Sequence, residues 1–217
     1  MIKFVPQLLM TLSEIPGKNV IIAHNTQCNL DCYGCFNYKE IIAKKHPLFY
    51  TSEALLARIQ QNTELIDGII FSGGEFLMES LGDIKSLLAS LRKFFSGFVI
   101  VYTNGFYPDK LKALLRAKLI DGVHLDFKIP FFDFDPEEHG YIYELALGRR
   151  ITNEERARAL ESLDVVLKHN SPLSQVRTVN YEFADTGYTR LIEAYVEDRK
   201  EALQSQVQYK INPYIEQ

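Results

Sequence analysis

Three cysteines, Cys28, Cys32 and Cys35, lie within eight residues, and the 217-residue chain has no others. An odd, clustered set in one short segment does not suit a disulfide scaffold. It suits metal. A cube of four irons is normally held by four thiolates, so three leave one iron open to another ligand. The alternative at this point is a structural zinc, with His24 or His46 as the fourth ligand. Zinc sites of that kind usually pair two CxxC-type units, and no second pair is present.

Other groups able to do chemistry recur at regular intervals. They are Ser72-Gly73-Gly74-Glu75, Thr103-Asn104-Gly105, Asp126 with Lys128, Arg177, and Asn212. Each follows, ends or, for Arg177, lies within a run that reads as a strand: Val20–His24, Gly68–Ser72, Phe98–Thr103, Gly122–Phe127, Gln175–Val179 and Gln208–Pro213. Between them lie helical patterns at Ser52–Gln61, Ser80–Phe95, Pro108–Lys118, Asn153–Lys168 and Gly187–Ser205. Ser52 and Asn153 stand at plausible N-caps, and Pro108 suits a first turn. Pro130–Ile151 is rich in aromatics and acids and reads as irregular, either a partner-docking loop or a solvated crossover.

Strands alternating with helices predict an α/β fold with a parallel sheet. Six βα units are too few for an eight-unit barrel, leaving an open partial barrel or a flat doubly wound sheet. In either, groups at the carboxyl ends of the strands share one rim and form one site. A net charge of -4 gives no sign of broad affinity for nucleic acid or an anionic membrane. No apolar run reaches the ~20 residues of a membrane span, and Met1–Leu12 lacks the features of a signal peptide. The expectation is a cytoplasmic protein.

C-x3-C-x2-C after the first strand, with Gly-Gly-Glu after the second, resembles the radical S-adenosylmethionine (SAM) superfamily. That resemblance implies a partial (β/α)6 barrel with a [4Fe–4S] cluster and SAM at its top, in one domain: residues 1–19 packing on a 20–213 core. Ser13-Glu-Ile-Pro-Gly-Lys18, Cys32-Tyr-Gly-Cys35-Phe-Asn37, Thr103-Asn104-Gly105, Asp126-Phe-Lys128 and Val176-Arg177-Thr-Val resemble segments of glycyl-radical-enzyme activases, including those of anaerobic ribonucleotide reductase. The likeness implies that Cys28, Cys32 and Cys35 ligate three irons. It implies that Gly73, Gly74, Glu75, Asn104, Asp126, Lys128 and Arg177 bind SAM, with positioning of an incoming peptide as the other role open to Asp126 and Lys128. The aromatic Tyr33 and Phe36, set among the cysteines, are expected to shield the cluster from water.

Each residue also has a plainer reading: a turn at Asn104-Gly105, an ion pair of Asp126 with Lys128, a satisfied core histidine at His24. The resemblance implies an oxidoreductase that installs a glycyl radical on anaerobic ribonucleotide reductase, with a flavodoxin- or ferredoxin-type reductant. The alternative is a radical SAM enzyme acting on a small molecule or peptide. Phe76 stands where the family usually has proline. Tyr102 stands where some activases carry an aspartate used for a monovalent cation, and 131–150 matches no activase.

Overall fold

The computed structural model describes residues 1–42, 48–183 and 186–214. Among them, seven strands form one sheet in sequence order: β1 (Leu9–Thr11), β2 (Val20–Asn25), β3 (Gly68–Gly73), β4 (Phe98–Thr103), β5 (Gly122–Asp126), β6 (Gln175–Asn180) and β7 (Gln208–Pro213). β2 to β7 are parallel, and β1 is antiparallel to β2. The order runs from β1 to β7 without closing, so the barrel is partial. The helices are α1 (Ser52–Gln60), α2 (Leu81–Arg92), α3 (Pro108–Arg116), α4 (Gly140–Leu147), α5 (Asn153–His169) and α6 (Thr186–Leu203). No helix among the described residues is long and apolar enough to cross a membrane.

β2 and β3 are buried almost throughout, as parallel strands covered on both faces must be. Outward side chains such as Ile21, Ile69 and Val99 pack under the helices with Leu55, Ile84, Leu88 and Leu163. Inward side chains Val20, Ile22, Ile70 and Ile100 form a second, smaller cluster closed by Ile15 and Leu173. Above that plug the inward positions turn polar: His24 on β2, Ser72 on β3, Tyr102 on β4, Asp126 on β5 and Arg177 on β6. The strand alternation that fills the base therefore supplies the site at the rim.

Four expectations need correction. β1 was not foreseen, because three half-exposed residues carry no alternation signal. The caps of α1 and α5 are Thr51 and Thr152, one residue earlier than Ser52 and Asn153. At α5, Thr152 and Glu155 form a reciprocal capping box. Pro130–Ile151 is not irregular throughout: turns fill its first part, but it contains α4, whose Tyr143, Ala146 and Leu147 are buried with Phe131. Finally, Phe36 borders the same cavity as the cysteines but is 74% exposed, too open to seal it from water. Tyr33 lines that cavity too and packs against Tyr181, Phe183 and Tyr214.

Candidate functional site

The cysteine loop leaves the carboxyl end of β2 and is clamped from two sides. On the β3 side, Gly74 N donates to Asn25 O (3.0 Å) and Glu75 N to Gln27 O (2.7 Å). A Cβ on Gly74 would lie 1.9 Å from Gln27 O, so only glycine allows this approach. Asn37 Nδ2 adds a bond to Gly73 O (3.0 Å). Gly73 and Gly74 thus fit the cysteine loop itself, a packing role that the sequence did not reveal.

On the other side stands α4. Asp31 N donates to Leu147 O (3.0 Å) and Tyr33 N to Ala146 O (3.1 Å), satisfying carbonyls that a helix end leaves free. Gly148 caps α4 with φ 74°. Arg149 Nε then donates to Asn29 O (3.0 Å), while its other nitrogens grip Glu155 at 2.6 and 3.2 Å. Glu155 is also the capping-box acid, so the start of α5 anchors an arginine that anchors the loop. Sequence reading missed Gly148 and Arg149. The available signal was a glycine one residue past an apolar helical spacing, followed by arginine.

All three cysteines line one cavity of about 860 Å³ at the top of the sheet. Burial pushes the Cys28 thiol up to about 12. Burial also raises the Cys32 thiol, opposed by the Lys128 ammonium, whose Nζ is 3.7 Å from Cys32 Sγ. Thiols so placed are protonated until a metal displaces the proton. Among the described residues, no three metal-binding side chains converge closely enough for a single ion. A cluster instead takes one thiolate on each of several irons and asks for wider spacing. Three thiols around one large cavity fit a cluster. The zinc alternative lacks a converged donor set among the described residues, and His46 lies outside them.

Gly73, Gly74, Glu75, Asn104, Asp126, Lys128 and Arg177 line the same cavity, as does Asn212. Glu75 is buried and held by three donors, with acceptor capacity left on Oε2. Oε1 accepts from Leu77 N (3.1 Å) and Thr103 Oγ1 (2.9 Å), and Oε2 from Asn104 N (2.7 Å). Burial nevertheless pushes its pKa up to about 7 against those three donors. Asn104 Nδ2 donates to Asn29 Oδ1 (2.8 Å), binding the β4 end to the cysteine loop.

Asp126 and Arg177, paired in register, form an ion pair: Nε and Nη2 reach Asp126 Oδ1 at 3.2 and 3.0 Å. Lys128 Nζ stands 3.5 Å from Asp126 Oδ2. Burial disfavours the Asp126 carboxylate, but Arg177 and Lys128 outweigh it and hold its pKa below the usual range. The Arg177 guanidinium lies 4.0 Å above the Tyr102 ring, Tyr102 stacks on His124, and the Tyr102 hydroxyl donates to Glu14. The ion-pair reading of Asp126 and Lys128 is therefore realised, with Arg177 as a third member. Two cations share one carboxylate, leaving a single positive charge beside Cys32.

A family model described as the Radical SAM superfamily matches residues 22–171. A candidate glycyl-radical enzyme activating enzyme of Methanocaldococcus jannaschii is 28% identical over 157 residues, covering 72% of this chain and 60% of its own length. Two solved structures share the fold. anSMEcpe with bound AdoMet has a TM-score of 0.58 at 17% identity, over 88% of this chain and 49% of its own. Coproporphyrinogen III oxidase from Escherichia coli, a radical SAM enzyme, has a TM-score of 0.55 at 14% identity, over 94% and 46%. The chain thus spans 60% of the length of the M. jannaschii relative and about half of each of the two structures.

Proposed function

The chain belongs to the radical SAM superfamily, and from that membership we propose that it activates a glycyl-radical enzyme, with an anaerobic ribonucleotide reductase as partner. A [4Fe–4S] cluster and SAM are the family's cofactors; when bound they supply a 5′-deoxyadenosyl radical able to take a hydrogen atom from carbon. Cys28, Cys32 and Cys35 would hold three irons. Lys128 and Arg177 would meet the SAM carboxylate with the surplus positive charge beside Cys32. Asp126 fixes both cations. Glu75 would meet the SAM amine while tying the ends of β3 and β4 together, and Asn104 keeps the cysteine loop in place beside them.

The observation that carries the partner class is the M. jannaschii relative, named as a candidate for that activity. The open edge between β1 and β7 supports it, since a loop of a large partner needs an unclosed mouth. Segment 131–150, which matched no activase by sequence, does not argue for a separate small-molecule pocket. Its helix holds the cysteine loop.

The test is anaerobic incubation of the reconstituted chain with SAM, a flavodoxin- or ferredoxin-type reductant and the reductase of the same genome, read by electron paramagnetic resonance. A glycyl-radical doublet is expected on the reductase, absent with Cys32→Ala. SAM cleavage without any doublet would overturn the partner assignment.

A further inference from the structure

Lys128 follows β5 and is fixed there through its backbone. The Tyr188 hydroxyl donates to Lys128 O (2.9 Å), while Phe127 N donates to Arg177 O (2.8 Å) and Thr178 Oγ1 to Phe127 O (2.9 Å). The Lys128 side chain lines the cavity, is only 16% exposed, and brings Nζ to 3.7 Å from Cys32 Sγ. An ammonium only donates, so the sulfur is the acceptor.

The thiols are therefore not equivalent. Cys28 Sγ accepts from the backbone N–H of Leu30, a neutral donor in its own loop. Cys32 Sγ accepts from a full cation carried in from another strand. Asp126 does not cancel that cation. Arg177 grips Asp126 Oδ1 with two nitrogens at 3.2 and 3.0 Å, against a single approach of Lys128 to Oδ2 at 3.5 Å. An ammonium has three N–H donors. One meets Cys32 and one Asp126, which leaves a third for a carboxylate in the cavity, so the sulfur contact does not compete with the role given to Lys128 above.

Net charge and hydrogen bonds at the ligand sulfurs set the potential of an iron–sulfur cluster. Reduction adds one negative charge, and a cation at a thiolate favours the more negative form, most of all where solvent screens little. We propose that Lys128 raises the reduction potential of the cluster through an N–H···S bond to Cys32, so that a milder one-electron donor can reduce it. The inference rests on the cluster and not on the identity of the partner enzyme.

The test is an anaerobic redox titration of the full, cluster-loaded chain without SAM, followed by electron paramagnetic resonance. Lys128→Met should shift the reduction equilibrium toward the oxidised cluster by at least about tenfold, a fall of about 59 mV for one electron. Lys128→Gln, which keeps a neutral N–H donor, should fall by less, and it carries the comparison if Lys128→Met does not take up iron. Iron content and the spectral line shape check that the cluster is intact. A wild-type potential in either loaded variant would overturn the proposal. A second readout needs no variant. In wild type labelled with 15N-lysine, pulsed resonance of the reduced cluster should show coupling to one lysine nitrogen, lost in Lys128→Met. No such coupling in wild type would overturn the bond, because the charge would then act only from a distance. Neither SAM nor the reductase is present in these measurements. A missing glycyl radical therefore leaves this result standing, and an unmoved potential leaves the partner assignment standing.

Discussion

Gly148→Ala and Gly17→Ala form a matched pair that tests whether α4 holds the cysteine loop. Both glycines have left-handed backbone, with φ 74° and 71°. An L side chain there costs about 1 kcal/mol in either place. The surroundings differ. A Cβ at Gly17 meets nothing within 4 Å, whereas at Gly148 it would lie 2.2 Å from Asp31 O and 2.7 Å from Asp31 Cβ. The Asp31 backbone must retreat by about 1 Å to restore ordinary contact. That movement strains the bonds from Asp31 N to Leu147 O and from Tyr33 N to Ala146 O, each worth about 1 kcal/mol net. Gly148→Ala should therefore cost about 3 kcal/mol against about 1 for Gly17→Ala. At about 2–4 °C per kcal/mol for a chain of this size, melting should fall by about 6–12 °C and about 2–4 °C respectively. Asp31 lies between Cys28 and Cys32, so iron bound per chain after anaerobic reconstitution should drop in Gly148→Ala and hold in Gly17→Ala. If the two variants melt and load iron alike, the loop does not lean on α4 and the reasoning is wrong.

Arg177→Met leaves Asp126 with Lys128 alone and should cost about 2–3 kcal/mol by denaturant unfolding. Arg177→Lys keeps a charge but loses the two-nitrogen grip and the Tyr102 stack, so it should still cost about 1 kcal/mol; wild-type stability in Arg177→Lys would mean that the fork geometry is irrelevant. Glu75 titrates at about 7 in the fold against 4.5 when unperturbed. The folded chain thus holds that proton more tightly, and its stability should fall as pH rises from about 4.5 through about 7. Glu75→Gln should flatten that part of the melting-versus-pH curve, and an unchanged slope would show that Glu75 is ionised throughout.

β2 to β5 were legible because each carries a buried apolar run, while β6 alternates and β7 is largely exposed; all six parallel strands agree with the structure to within a residue or two. The rim was legible for a related reason: a buried run that ends in Gly-Gly-Glu or Asp-Phe-Lys places polar groups where strands emerge. What was illegible depended on tertiary partners. β1 exists because β2 offers it an edge. Thr51 and Thr152 beat Ser52 and Asn153 as caps although adjacent residues of all these types can cap. α4 hid in an aromatic-acidic stretch because eight residues give too few turns for a clear period. Arg177 was foreseen as an anion binder, and its immediate anion proved to be Asp126. No spacing rule could join Asn29 to Arg149 or leave His24 without a partner.

That long-range clamp bears on biosynthesis. Asn29 and Arg149 are 120 residues apart in the chain. At ~5–20 residues per second, a ribosome needs on the order of ten seconds between making the cysteines and completing the helix that shapes them. Through that interval three thiols are carried on a nascent chain with no template around them, open to adventitious metals and oxidants. Metallation is thereby placed near the end of folding, after α4 and the start of α5 have docked. A chain cut short before residue 140 would present the C-x3-C-x2-C motif intact and still lack the means to shape it.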